Sequence, residues 1–409
     1  MQFNRSNNMK KLSFPIRIPL YYVRGGTSTG IVLLQKYLPE KKELKEEILR
    51  HIMGVPLEGR NENNKQLQGL GRGITTSNKA FIIDIDYQSK QVISTFAQLE
   101  KESSTVSWEV NCGNMTSSIP LVIRDLSEEK WLMPDGKLSI FNTNTNKNIV
   151  CTMTNVAPKY QLAHMPGVIG DFPEVNVSFE DPACSKTKAL FPTGNLIDKV
   201  NGIPVTGIDV AVPMIIINAE SLGITGYENP NEIKNNKVLQ EKIMEIRIEM
   251  GIKMEIRKKN GAVMNEKDLS ESITQPKVAI VAPPLSEGDI NIRYLTPKNV
   301  HLSIAVSGGC CLAAACCFSG TVASHIYYSD RVNGNAIVRI EHLSGISEFS
   351  ITHDGEHIKY ASAPRNAQIL MKGEFFIYNP SDELILSQAI PLDISSDPRL
   401  PIWSARGRW

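Results

Sequence analysis

The chain has 409 residues, 42% of them hydrophobic and 21% charged, with a formal net charge of +1. That length exceeds one ordinary core and fits two domains, and the balance excludes a disordered polymer. The near-neutral charge excludes the basic excess of a nucleic-acid binder, so an anionic ligand would be held by a few placed groups and not by a broad field.

The first stretch, MQFNRSNNMKKLSFPIRIPL, has no apolar h-region and no small-residue cleavage site, so no signal peptide is expected. Residues 16–22 predict a strand that leads into RGGTSTG (residues 24–30), and residues 31–34 a second strand. Residues 40–53 carry Leu44, Ile48, Leu49 and Ile52 at helical spacing and predict a helix. A Gly/Asn-rich loop (59–73) follows. Then TTSNKAFIIDID predicts a strand over 80–85, and 92–99 and 106–110 alternate like strands. NCGNMTSS (111–118) predicts a strand end and a short helix running toward Leu121. Residues 138–153 again read as strand. PTGN (192–195) marks a turn and a domain boundary after a Pro/Lys-rich crossing at 182–192.

The second half repeats the plan. Residues 208–218 predict a strand, 231–250 one amphipathic helix, 277–283 a buried strand and 290–294 a short one. Residues 300–306 lead into SGGCCLAAACCFSGTVA, a glycine turn and a small-residue helix. Residues 338–342, 348–352, the stretch near Ala361 and 375–378 predict closing strands, and 365–372 a turn or short extended piece. Each half thus holds a strand, a glycine-bearing turn and a small-residue helix, which suggests an internal repeat.

Seven cysteines occur, an odd number, and four crowd one apolar stretch (Cys310, Cys311, Cys316, Cys317). That pattern is unlike a secreted disulfide framework and predicts a reducing, cytoplasmic setting. The cysteine pairs lack CxxC spacing and no His cluster accompanies them, so no metal site is read. The longest apolar run, 304–318, is too short and interrupted for a membrane span.

Two side chains stand out as chemistry. Cys112 sits before an apparent helix start, where unpaired backbone N–H groups and the helix dipole favour negative charge on sulfur; the bland alternative is a small core residue. The same N–H groups could hold a carboxylate. Lys79 begins an apolar strand, where loss of water favours a neutral amine able to act as a base; the alternative is a solvated strand-end lysine. RGGTSTG offers the hydroxyls of Thr27, Ser28 and Thr29 but lacks the lysine and spacing of a phosphate loop. SGGCC is a second backbone nest at a helix start, read either as close packing or as an oxyanion site. Arg293 and His301 lie upstream of it, each able to pair with a carboxylate or to serve structure.

With these motifs in place, the chain resembles the PrpF family. The similarity lies in RGGTSTG, TTSNK, NCGNM, LFPTGN, LGITGYE, DINIRYLTPKNVHLSIAVSGG, IEHLSG and RNAQILMKGE, in that order over nearly the whole chain. It implies the diaminopimelate-epimerase-like fold of the α/β (α+β) class. Two domains, here 13–195 and 196–409, would each wrap a mixed or antiparallel sheet around a central helix. It also implies isomerisation of a small unsaturated di- or tricarboxylate by proton transfer, with no metal, flavin or nicotinamide cofactor. Lys79 and Cys112 match the family's lysine and cysteine. Arg24, Thr27, Ser28, Ser77, Gly113, Asn114, Met115, Arg293, Ser307, Gly308 and Gly309 are the expected substrate-binding residues. Two departures bear on substrate choice: Thr29 stands where the family's RGGTSKG has lysine, and Asn366 and Gln368 replace residues of its RTAR.

Aconitate or 2-methylaconitate, interconverted between cis and trans, is the first expectation. The others are an allylic double-bond shift of the methylitaconate or 4-oxalomesaconate type, an amino-acid epimerase with a cysteine in each half, and a non-catalytic carboxylate-binding protein. No nucleic-acid or membrane partner is expected, and a homodimer is compatible with these readings.

Overall fold

Strand β1 (Ile16–Gly25) turns back on β2 (Ser28–Leu34) at the RGG segment. A computed structural model describes residues 15–156, 159–297, 299–327 and 334–388. The outer ends of the two expected domains, at 13 and 409, and residues 1–14 of the stretch tested for a signal peptide lie outside the described residues. Helix α1 (Lys42–Met53) follows, with Leu44, Ile48, Leu49, Ile52 and Met53 buried on one stripe and Gly54 ending it in the left-handed conformation. Each such side chain contributes about 1.5–3 kcal/mol when fully buried, and a left-handed glycine is a common helix stop.

The longer remaining strands of the first half are β3 (Lys79–Asp86), β4 (Gln91–Leu99), β5 (Lys137–Asn142), β6 (Lys147–Thr152) and β7 (Phe172–Glu180). Between β4 and β5 lie helices α2 (Gly113–Thr116) and α3 (Ile119–Asp125). The second half has β8 (Ile203–Asp209), β9 (Pro213–Asn218), α4 (Pro230–Asn235), α5 (Lys237–Lys253), β10 (Lys277–Ala282) and β11 (Ile290–Thr296). Helix α6 (Val306–Ala315) and strands β12 (Gly334–His342), β13 (Gly345–His353) and β14 (Ile358–Ile377) complete it.

The pairings repeat. In the first half β1–β2 is antiparallel, β2–β3 parallel, β3–β4 antiparallel, β4–β5 parallel, and β5–β6 and β6–β7 antiparallel. In the second, β8–β9, β9–β10, β10–β11, β11–β12, β12–β13 and β13–β14 follow in the same order with the same directions. The halves therefore share one topology although their sequences barely match.

Strand β14 joins them. Its first part pairs with β13 and β7, and its last part with β1. Residues 365–372, expected as a turn or short extended piece, are the interior of this 20-residue strand. The polar sequence RNAQ hides the strand because its partners lie in the other half, with Arg365 opposite Val175 and Gln368 opposite Arg24. The helix expected over 231–250 is two helices. Asn236 breaks the run, its side chain accepting from the Leu239 N–H and so restarting the chain as α5.

A central hydrophobic cluster runs through both halves and includes Cys112, Met115, Val306 and Cys310. Two satellite clusters lie under α1 and under α5. The crossing segment is pinned by buried Asp209, which accepts from the Lys186 and Thr187 N–H groups at 2.8 and 2.9 Å and from the hydroxyls of Ser185 and Thr187. No helix among the described residues is long and apolar enough to cross a membrane.

Candidate active site

Helices α2 and α6 meet where the two halves face each other. A Cβ on Gly113 would lie 2.7 Å from Val306 Cβ and 3.0 Å from the Phe179 ring, so only glycine lets the two helix starts approach. A Cβ on Gly25 would lie 2.3 Å from the Asn114 carbonyl oxygen, which presses the β1–β2 turn onto the start of α2. The RGG and NCGN motifs are thus two sides of one contact.

Cys112 is the N-cap of α2, in extended conformation and with no side chain capping the helix. Its thiol lies 3.1 Å from Lys79 Nζ, which also donates to Ser28 Oγ at 2.9 Å. All three are buried. Lys79 reaches this place because it is the first residue of β3, which lies parallel to β2. The pair, 33 residues apart in the chain, can pass a proton directly.

Asn114 extends the site. Its Nδ2 donates to Thr27 Oγ1 at 3.3 Å, and its Oδ1 accepts from Arg365 Nε at 3.0 Å. Arg24 donates to Asn366 Oδ1 and Gln368 Oε1 at 2.8 and 3.1 Å. Both departures from the family's RTAR motif therefore hold Arg24 in place. Arg24 and Arg365 each keep a buried Nη2 without a hydrogen-bond partner. Burial pulls both guanidinium groups down to about 10, still charged at neutral pH. Two unspent cationic donors beside the helix start suit carboxylate oxygens.

At the second helix the N-cap is Ala305, also extended and with no side-chain cap. The helix begins before the two glycines of SGG. Gly309 N–H is consequently spent on the Ala305 carbonyl at 2.9 Å, which removes it from the amides expected to hold an anion. The first-turn residues are Val306, Ser307 and Gly308. Gly308 is packed by the Tyr294 ring, whose hydroxyl is buried without a partner. Burial pushes the Tyr294 pKa up, with Cys311 and Cys112 adding to it, so the phenol stays a neutral donor.

Other expected residues serve the scaffold. Ser77 Oγ donates to the Ile74 carbonyl and accepts from the Arg72 N–H, fixing the loop before β3. Met115 is fully buried in the central cluster. Arg293 directs Nε to the Glu228 carbonyl at 2.7 Å and Nη1 to Asn291 Oδ1 at 3.0 Å, inside its own half.

Sequence reasoning missed Lys277, Tyr294 and Arg365. Lys277 is the first residue of β10, the strand that repeats β3, so it is the topological counterpart of Lys79. Burial and then the charge of Lys79 push it down to about 7, while Cys112 acts in the opposite direction. His301 is pushed down to about 3 by burial, then by Lys79, and is a neutral imidazole. TTSNKAFII and TQPKVAIV both place a lysine before a buried run, and that shared signal could have found Lys277. The counterpart of Cys112 is Ala305, so the lysine is duplicated and the thiol is not.

A cleft of about 660 Å³ between the halves is lined by Thr27, Asn78, His301, Ser303 and Ser344, among others. It reaches the turn that carries Thr27. Among the described residues, no group of three or more His, Cys, Asp or Glu is placed to hold a metal.

The profile of the PrpF protein family matches residues 15–378. The chain belongs to the PrpF family. It is 32% identical over 374 residues to "Putative isomerase YbhH" of Escherichia coli strain K12, covering 88% of this chain and 99% of that protein. It is 30% identical over 375 residues to the 4-oxalomesaconate tautomerase of Pseudomonas putida, covering 87% of this chain and 95% of that one. Among solved structures it is similar to a methylitaconate-delta-isomerase, with a TM-score of 0.69 and 27% identity over 89% of this chain and 96% of the other. A hydroxyproline epimerase shares the fold alone, with a TM-score of 0.54 and 9% identity over 90% of this chain and 94% of that one. This PrpF-family chain is an isomerase with the diaminopimelate-epimerase-like fold.

Proposed function

We propose that this PrpF-family isomerase interconverts the cis and trans forms of aconitate or a close tricarboxylate homologue. The observation that carries the reading is the 3.1 Å contact between Lys79 Nζ and Cys112 Sγ at a helix start, next to two arginines with unspent donors. Two of the named relatives, the 4-oxalomesaconate tautomerase and the methylitaconate-delta-isomerase, carry the names of small unsaturated acids, which supports the reading.

The chemistry follows from the substrate. Aconitate has a methylene between a carboxylate and a carbon–carbon double bond. Lys79 takes one methylene proton, and the electron pair of the broken C–H bond spreads over the allyl system and its carboxylates. The former double bond loses stiffness and rotates. Cys112 returns a proton to the same carbon, and the neighbouring lysine and thiol restore their own protonation through their contact. Added negative charge on a polyanion is the obstacle. The N–H groups at the starts of α2 and α6, the Tyr294 hydroxyl, and the guanidinium groups of Arg24 and Arg365 offset it in a site shielded from water. Such acid–base transfer contributes about 10²–10⁴-fold, and the array of donors supplies the further stabilisation.

The second reading is a double-bond shift, in which the proton returns to the far end of the allyl unit; the names of the relatives favour it. The epimerase reading loses support because the N-cap of the second helix is Ala305, not a cysteine, and its cysteines lie inside a buried helix. Burial pushes the Cys310 thiol up to about 12, away from the thiolate that epimerisation needs.

Purified protein incubated with cis-aconitate, with 2-methylaconitate and methylitaconate alongside, should yield the trans isomer by chromatography. Product from methylitaconate alone would replace the first reading with the second. No product from any of the three would remove the first reading and, with 4-oxalomesaconate also left unchanged, the second.

A further inference from the structure

Helix α5 carries a side chain that the isomerase reading does not use. Arg247 is 2% exposed, yet its Nε and Nη1 have no hydrogen-bond partner. Among the described residues its one contact of this kind is from Nη2 to the Met244 sulfur at 3.0 Å. Burial lowers its pKa to about 10, and no carboxylate contributes to that shift. A buried cation without a partner costs several kcal/mol, so the position calls for an anion.

A chamber of about 120 Å³ lies against it. Beside Arg247 its polar lining is Lys234, Asn231, Gln240, Thr296 and Asn299, and no acidic residue lines it among the described residues. A liquid water occupies about 30 Å³, so a phosphate or carboxylate group with a little water fits. The chamber is also separate from the lysine–thiol pair. Successive residues of a strand point to opposite faces. Val278, which lines the chamber, belongs to the cluster under α5, whereas Ala279 belongs to the central cluster that holds Cys112. The chamber thus lies across the second-half sheet. It shares Lys234, Thr296, Asn299 and Val300 with the lining of the main cleft, so a molecule in one adjoins the other.

We propose that the Arg247 chamber is a second binding site, for a compact oxyanion of phosphate or carboxylate type, beside the mouth of the cleft. Arg247 supplies the unpartnered Nε and Nη1 donors, Lys234 a second charge, and the amides of Asn231 and Asn299 the remaining hydrogen bonds. Occupancy would bias the wall that both cavities share.

Isothermal titration of the full chain with inorganic phosphate, and separately with acetate, at constant ionic strength tests this. A saturable site that survives in Lys79→Ala is expected for at least one of the two, and which one binds identifies the source. Arg247→Met, which keeps the volume and removes the donors, should weaken binding at least tenfold. Lys79→Ala should leave the Kd within twofold, which separates the chamber from the lysine–thiol pair. Should Arg247→Met not fold, Lys234→Ala serves with the same sign. Absence of saturable binding by both anions, full binding by both variants, or loss of binding in Lys79→Ala would each overturn the proposal. The titration is read without turnover, so its failure leaves the isomerase reading standing.

Discussion

Replacing Lys79 with alanine is expected to lower kcat about 10²–10⁴-fold, with the fold and the melting temperature nearly kept. The lysine Nζ touches both Cys112 Sγ and Ser28 Oγ, so the substitution deletes one member of the proton-passing pair and leaves the thiol without its partner. The β3 ladder does not depend on the side chain, because Lys79 pairs with Gln98 through the backbone. Lys79→Met controls for lost volume and should fall by a similar factor. Activity within tenfold of the native protein in both variants, with circular dichroism unchanged, would take Lys79 out of the mechanism.

The second large effect is expected at Cys112. Cys112→Ala should lose turnover to a similar degree. Cys112→Ser should recover little, because a hydroxyl is a far weaker acid than a thiol. Alkylation offers an independent measure. Burial pushes up the thiols of Cys151, Cys310, Cys311 and Cys316, which leaves them protonated and inert. Cys184 is exposed and would react, so the test belongs in a Cys184→Ser background. Iodoacetamide should then inactivate in step with one adduct, mapped by mass spectrometry to Cys112, and substrate should slow it. Full activity with Cys112 alkylated would contradict the assignment.

Much of this was legible in the chain because its signals are local. Strand, glycine turn and helix start are adjacent in NCGNMTSS, and Lys79 leads an apolar run that can only be a buried strand. What was hidden depends on partners far away in sequence. Arg365 looked like part of a turn because its strand is completed by β7 and β1, and its hydrogen bond to Asn114 crosses 251 residues. The single helix expected over 231–250 broke at Asn236 because a capping side chain outweighs the periodic pattern. Gly309 looked like an anion-holding amide because the glycines of SGG suggested the helix start, which in fact comes at Val306. Lys277 was visible as a residue but not as a site, since only the repeated topology pairs it with Lys79.

That repeat also changes how the site is understood. Two halves of one topology bring a lysine each, but only the first brings a thiol. Under the proposed function, the asymmetry places both members of the acid–base pair on the first half.

The most direct test of proton removal and return is turnover of the preferred acid in heavy water, followed by proton NMR of product and recovered substrate. Deuterium should enter the allylic carbon of both, and the exchange should vanish with Lys79→Ala. Complete isomerisation with no deuterium in either compound would show that no C–H bond is opened to exchangeable groups, and would contradict the lysine–thiol account.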